Sequence, residues 1–286
     1  MILDMKTIKL TKMQGCGNDF VIIDYPEYEK TGLKMSELAK KVCNRNFGVG
    51  ADGMIIPKLN PENKEADISW YFYNSDGSTA QMCGNGMRCF AKYCIDNKLV
   101  DKKSFSVETL AGIIKPELLD NGLIKVNMGK PILENKKIPF WSENGEKKLT
   151  ALDREFEITP VSMGNPHCVI ITDEDPMKLA QTYGPVIEKH EFFPEKTNTE
   201  FVRVKSRMEI DMRVFERGCG ITLACGTGAC ASVVACVLNN LTENKVKVNL
   251  LGGPVFIEWQ GSADDKEQDI FLIGSANYSF FADYIL

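Results

Sequence analysis

The chain is patterned as two similar runs of short strands, each built around one dominant apolar helix. In the first run, residues 8–13 alternate as a half-buried strand, and residues 20–24 form a buried strand after the glycine-rich turn Gln14-Gly15-Cys16-Gly17-Asn18-Asp19. Residues 36–43 give a short amphipathic helix with Ser36 as N-cap. A second glycine turn at 48–53 precedes a strand at 54–56, residues 57–67 read as a polar loop, and 68–73 as a strand. From 84 to 95 the apolar residues Met87, Phe90, Ala91, Cys94 and Ile95 recur at helical spacing, and Asn97 closes that helix. Residues 104–109 and 123–128 read as strands, with Asp120-Asn121-Gly122 as a hairpin-type turn, before a loop at 129–148.

The second run repeats this plan. It has a strand at 161–163, the turn Gly164-Asn165-Pro166-His167, a strand at 168–171, a helix at 176–183, and strands at 200–204 and 209–215. Residues 226–238 are apolar on every face, which predicts a buried helix rather than an amphipathic one. Residues 245–248, 254–260 and 270–273 are closing strands, and 275–285 is a last one. Landmarks recur in order: Gly17-Asn18 matches Gly164-Asn165, Asn18 precedes Cys83 by 65 residues where Asn165 precedes Cys225 by 60, and Asn74 and Glu216 each lie nine residues before a cysteine. An internal duplication giving two similar α/β units follows.

Composition narrows the function classes. At 286 residues the chain can bury two cores, and 44% hydrophobic with 26% charged residues is ordinary for a globular protein. A net charge of −5 without a basic cluster interleaved with aromatics argues against nucleic acid as a partner. Residues 1–10 have no long apolar core and no stretch approaches the roughly 20 apolar residues of a membrane span, so a cytoplasmic protein with no membrane partner is expected. Ten cysteines in such a setting read as free thiols. No pair has Cys-x-x-Cys spacing and only His167 adjoins a cysteine, so no metal is expected.

Candidate chemistry lies in Met82-Cys83-Gly84-Asn85-Gly86-Met87-Arg88-Cys89 and Ala224-Cys225-Gly226-Thr227-Gly228-Ala229-Cys230. A cysteine at a helix start faces unpaired N–H groups and a partial positive charge, which lowers a thiol's pKa. The glycines let an anion approach those N–H groups, so each motif offers a base and a carboxylate cradle. Free cysteines are more often buried core residues, and Cys43, Cys94, Cys168, Cys230 and Cys236 are read that way. Two matched thiols suit stereoinversion beside a carboxylate, one removing the α-proton while the other protonates the opposite face.

These two motifs, with Gly17-Asn18-Asp19-Phe20 and Gly164-Asn165-Pro166-His167, closely resemble the diaminopimelate epimerase family. The resemblance implies an α/β (α+β) fold of two pseudo-symmetric domains, each a mostly antiparallel or mixed sheet wrapped around a central helix. It places them at 1–127 plus 275–286, carrying Cys83, and 128–274, carrying Cys225. It implies pyridoxal-phosphate-independent interconversion of LL- and meso-2,6-diaminopimelate, without a cofactor, in lysine and peptidoglycan-precursor biosynthesis, by a homodimer. Carried over, Cys225 accepts the proton and Cys83 donates it in the LL to meso direction. Gly84, Asn85, Gly226 and Thr227 fall on the carboxylate cradle. Asn18, Asn74, Asn165, Asn198, Glu216 and Arg217 fall on substrate-binding positions, and His167 and Glu216 on positions that tune the thiols. A substrate with a second amino-acid head group needs a cation and acceptors, which Arg217, Glu216 and the asparagines supply. Taken alone, each asparagine reads as a turn residue, and a lone histidine after Pro166 as a loop residue. The chain departs from the family's common pattern at Gln14, Gly53, Ile221 and Phe280, the last at a position associated with the dimer contact. Two other readings remain: a related racemase of another amino acid, and a non-catalytic thiol-rich redox or metal-binding protein.

Overall fold

A computed structural model describes residues 6–79, 82–142, 145 and 147–286; the first half of the N-terminal segment read above lies outside the described residues. The chain divides into two compact units, Met1–Val126 with Gly274–Leu286, and Asn127–Ile273.

The first unit contains strands β1 (Thr7–Gly15), β2 (Asn18–Ile22), β3 (Gly53–Lys58), β4 (Ile68–Asn74), β5 (Val107–Thr109) and β6 (Gly112–Ile114), and the hairpin β7 (Glu117–Leu118) with β8 (Ile124–Asn127). Its helices are α1 (Tyr25–Glu29), α2 (Met35–Val42) and α3 (Gly84–Asp96). The sheet order is β19-β1-β2-β3-β4-β5-β6, where β19 (Asn277–Ile285) returns from the end of the chain to lie antiparallel to β1. The sheet is covered on both faces, which explains its unbroken apolar runs. Ile8, Leu10, Val21, Ile23, Met54 and Ile56 pack with Leu38, Ala39 and Val42 of α2. The alternate residue Phe20 meets α3 at Gly86.

The second unit contains β9 (Lys148–Ala151), β10 (Arg154–Glu157), β11 (Thr159–Ser162), β12 (Pro166–Ile171), β13 (Asn198–Ser206), β14 (Glu209–Glu216), β15 (Gly220–Ile221), β16 (Lys245–Leu250), β17 (Gly253–Trp259) and β18 (Ile270–Gly274). Its helices are α4 (Pro176–Ile187) and α5 (Gly226–Leu238). The sheet order runs β11-β12-β13-β14-β16-β17-β18. Cys168, Ile170 and Phe201 face α4 through Leu179, Ala180 and Ile187, while α5, buried on nearly all sides, covers the other face.

The same alternation of strand directions occurs in both units. Pairing is antiparallel, parallel, antiparallel, parallel, antiparallel from β1 to β6, and again through β11, β12, β13, β14, β16 and β17. Each cysteine helix follows the fourth strand of its series. Register then matches positions between units: Phe20 pairs Gly53 where His167 pairs Asn198, and Met54 pairs Tyr73 where Thr199 pairs Phe215. Thus Phe20 corresponds to His167, Ile55 to Glu200 and Asn74 to Glu216.

Several local expectations are corrected. Ser36 is not an N-cap: the helix starts at Met35, and the capping position is Lys34, whose N–H donates to Glu37 Oε2 at 3.4 Å. His167 lies inside β12 rather than in a turn. The strand expected at 104–109 begins only at Val107. Residues 57 and 58 belong to β3; Pro57 lies beyond the last residue that β2 pairs, where a missing donor is tolerated. The β9–β10 hairpin turns through Leu152 at φ 55°, a left-handed residue without the Asn or Gly signal that sequence reading depends on.

Candidate active site

In the first unit, Cys83 caps α3. Its backbone is extended (φ −142°, ψ 109°), and its Sγ accepts from Gly86 N–H at 3.4 Å. Asn18 follows the left-handed pair Cys16 and Gly17 (φ 55° and 81°), which turns β1 into β2. That turn brings Asn18 Oδ1 to 3.8 Å from Cys83 Sγ, the thiol donating, and to 3.2 Å from the donor Asn85 Nδ2. Asn18 Nδ2 in turn donates to Asp52 Oδ2 at 2.6 Å, and Arg45 bridges Asp52 and Asp19. One turn into α3, fully buried Arg88 donates to Asn85 Oδ1 (2.9 Å), the Ser275 carbonyl (3.1 Å) and Cys16 Sγ (3.7 Å). Asn74, last in β4, is used in a turn, with Nδ2 donating to Ser78 Oγ at 3.0 Å.

In the second unit, Cys225 caps α5 in the same conformation (φ −124°, ψ 108°) and accepts from Gly228 N–H at 3.3 Å. Thr227 Oγ1 lies 3.5 Å from its sulfur and accepts from Asn165 Nδ2 at 3.4 Å. Asn165 Oδ1 faces His167 Nε2 at 3.1 Å, and His167 Nδ1 faces Glu200 Oε1 at 2.7 Å. Asn198 Nδ2 donates to the Pro166 carbonyl (2.9 Å) and its Oδ1 accepts from Arg217 N–H (3.0 Å). Arg217 is exposed, with Nη1 on the Glu195 carbonyl at 3.1 Å. Glu216 Oε1 accepts from the Thr222 hydroxyl.

Gly84 and Asn85 open α3 as Gly226 and Thr227 open α5. Their N–H groups have no carbonyl four residues back within the helix, so each first turn can receive an anion. No group of residues able to hold a metal occurs among those described, and no described helix is long and apolar enough to cross a membrane.

The electrostatics correct one expectation. Burial pushes the Cys225 thiol well above its ordinary range, and Glu216 and Glu200 push it further; Thr227 and the Gly228 N–H oppose this and lose. A helix N-terminus contributes about 0.3–2 kcal/mol, whereas full burial of a charge shifts a pKa by up to about 3–5 units, several kcal/mol. Cys225 therefore rests as a thiol. Glu216 is also raised, by burial and by Glu200, against the pull of Thr222, His167 and the Cys225 thiol. Cys43, Cys94, Cys168, Cys230 and Cys236 are core residues, as expected of free cysteines.

Sequence reading missed Glu200, Arg88 and the Arg45–Asp52 pair behind Asn18. The available signal was a charged residue within an otherwise apolar run: Glu200 opening Phe201-Val202, and Arg88 between Met87 and Cys89.

A family model described as "Diaminopimelate epimerase" matches residues 10–134 and 159–279. The chain belongs to the diaminopimelate epimerase family. A diaminopimelate epimerase of Halothermothrix orenii is 46% identical over 281 residues, covering 94% of this chain and 95% of the relative. A chloroplastic diaminopimelate epimerase of Oryza sativa subsp. japonica is 42% identical over 294 residues, covering 98% and 81%. Among solved structures, a phenazine biosynthesis protein of the PhzF family from Bacillus anthracis has a TM-score of 0.71 at 18% identity, covering 99% of this chain and 100% of that one. A hydroxyproline epimerase from Agrobacterium vitis has a TM-score of 0.65 at 11% identity, covering 98% and 93%. These two share the two-domain duplicated fold of the diaminopimelate epimerase family; at such identity they speak for fold alone.

Proposed function

We propose that this chain interconverts LL- and meso-2,6-diaminopimelate without pyridoxal phosphate, in lysine and peptidoglycan-precursor biosynthesis. The observation that carries the reading, beside the family match, is the pair of half-buried and buried thiols Cys83 and Cys225, each capping a glycine-rich helix start. In the LL to meso direction Cys225 takes the α-proton and Cys83 donates one to the opposite face of the carbon. The substrate's reacting carboxylate sits on the N–H groups of Gly84-Asn85 and Gly226-Thr227, where helix dipoles oppose the charge that develops. Asn18, Asn74, Asn165, Asn198, Glu216 and Arg217 bind the substrate, with Arg217 as the cation for a carboxylate.

Because Cys225 rests protonated, its thiolate must form on binding. Glu216 accepts a hydrogen bond from that thiol and has its own pKa raised, so it is suited to take the proton. Occupancy by an ammonium group then offsets the negative charge left on the pair. We place the enzyme in the cytoplasm as a homodimer, a reading supported by exposed Phe280 and Phe281 on the edge strand β19.

The test is epimerisation of LL-diaminopimelate, followed by α-proton exchange from heavy water, with no cofactor added. Wild type should turn over, and Cys83→Ala and Cys225→Ala should each lose essentially all epimerisation. Full activity in either variant would overturn the two-thiol mechanism; exchange of proline or histidine instead of diaminopimelate would overturn the substrate.

A further inference from the structure

We propose that Glu200 is a positioning residue of the Cys225 half-site: its carboxylate keeps a hydrogen on His167 Nδ1 and so holds the ring against the Asn165–Thr227 link beside the thiol. The geometry stands on its own, whereas its place in turnover rests on the function proposed above.

Glu200 and His167 are both fully buried, and Glu200 Oε1 lies 2.7 Å from Nδ1. The other ring nitrogen, Nε2, lies 3.1 Å from the Asn165 side-chain amide. A carboxylate can only accept, so Nδ1 carries a hydrogen and the ring is held between Glu200 and that amide. The amide in turn reaches Thr227 Oγ1, which lies 3.5 Å from Cys225 Sγ. A continuous chain of contacts thus runs from the carboxylate to the sulfur. Glu200 Oε2 is buried with no hydrogen-bond partner among the described residues, a costly arrangement that apolar packing would avoid. The helix accommodates the carboxylate only because residue 228 is glycine: a Cβ there would lie 2.7 Å from Glu200 Oε1.

Building the cap does not require this acid. At the corresponding register positions the first unit has Phe20 and Ile55, both apolar and buried, yet Cys83 caps α3 in the same conformation with the same N–H contact. The ionisable pair is therefore additional to the shared scaffold.

The groups facing the thiol are few. Beneath α5, β12 brings His167, β13 Glu200 and β14 Glu216; β11 carries no ionisable group, and Glu258, the only one on β17, pairs with Lys245 at 3.1 Å. On α5 itself only Cys230 and Cys236 are ionisable.

Two measurements without diaminopimelate test the proposal. The chain has two histidines, His167 and His190, so 15N spectra of a His190→Gln protein report one ring. A hydrogen on Nδ1 is expected, shared between Nδ1 and Nε2 once the carboxylate is gone in Glu200→Gln; a ring whose Nδ1 carries no hydrogen in the Glu200 protein overturns the proposal. Second, the pH profile of Cys225 alkylation, read by peptide mapping, should move to lower pH by about 1 unit or more in Glu200→Gln, since a like charge beside the thiolate is removed. Glu200→Asp should restore most of the shift. An unchanged profile in folded Glu200→Gln overturns the proposal, and the wild-type spectrum decides should that variant fail to fold. If instead wild type gives both signatures but does not epimerise diaminopimelate, the substrate reading fails and the positioning role stands.

Discussion

At the scale of single residues, the two cysteines share a backbone conformation and differ in what surrounds them. Cys83 is met by Asn18, which Asn85 holds in turn, and the buried charge behind Asn85 is a guanidinium, Arg88. Cys225 lies near two carboxylates, Glu216 and Glu200, and burial with their charge drives it to its neutral form. Gly228 is the point where these contacts converge, because its missing side chain is bounded by Glu200 Oε1 at 2.7 Å and Cys225 Sγ at 3.2 Å. Gly228→Ala should therefore displace the acid or the thiol and lower kcat/KM by about 100-fold, the cost of a displacement near 1 Å at a reacting group. Gly86, its counterpart, would place a Cβ no closer than 3.4 Å to any neighbour, so Gly86→Ala should fold with unchanged thermal stability. Steady-state kinetics and thermal melts of the two variants check the contrast; equal losses would refute it. The glycines and cysteines were legible in the sequence because a motif with a fixed spacing needs no tertiary information. Glu200 was not, since an acid at the start of an expected strand looks the same whether it faces water or a buried histidine.

At the scale of elements, the helices that carry the cysteines reach burial by different compositions. The α5 segment is apolar all round, and the sequence predicted its burial and its bounds together. The α3 segment keeps Lys92 and Asp96 on an outer stripe, paired at 3.0 Å, and buries Met87, Phe90, Ala91 and Cys94. Phe90 stands edge-on to Trp70, which stacks on Phe72, so one aromatic set holds α3 on the sheet. Phe90→Ala should lower the free energy of unfolding by about 3–5 kcal/mol, the usual cost of emptying such a site, as denaturant titration would show. A loss below about 1 kcal/mol would mean that α3 is held by its cap alone. Strands with a clear period were read correctly in place, with ends off by one to three residues. Those set by partners rather than pattern were not: β6 has three residues, and β9 and β10 join through Leu152.

At the scale of the whole chain, duplication was readable from spacing, whereas its physical content, the matching order of parallel and antiparallel pairs, needed the sheets themselves. The last strand bears on assembly. Among the described residues no strand pairs with the outer edge of β19, where the sheet order ends, and Phe280, Phe281 and Ile285 are 45%, 70% and 53% exposed. An open edge carrying large apolar side chains is an aggregation hazard unless something covers it. A second copy is the occupant that fits the homodimer proposed above. In a two-fold interface every substituted side chain counts twice. Burial of a phenylalanine is worth about 1.5–3 kcal/mol, so Phe281→Asp should weaken association by about 3–6 kcal/mol, at least a hundredfold in Kd. Wild type should then sediment at twice the 32.0 kDa chain mass and Phe281→Asp as the single chain at micromolar concentration. Sedimentation of both proteins as dimers would exclude β19 as the contact, and of both as monomers would exclude the homodimer.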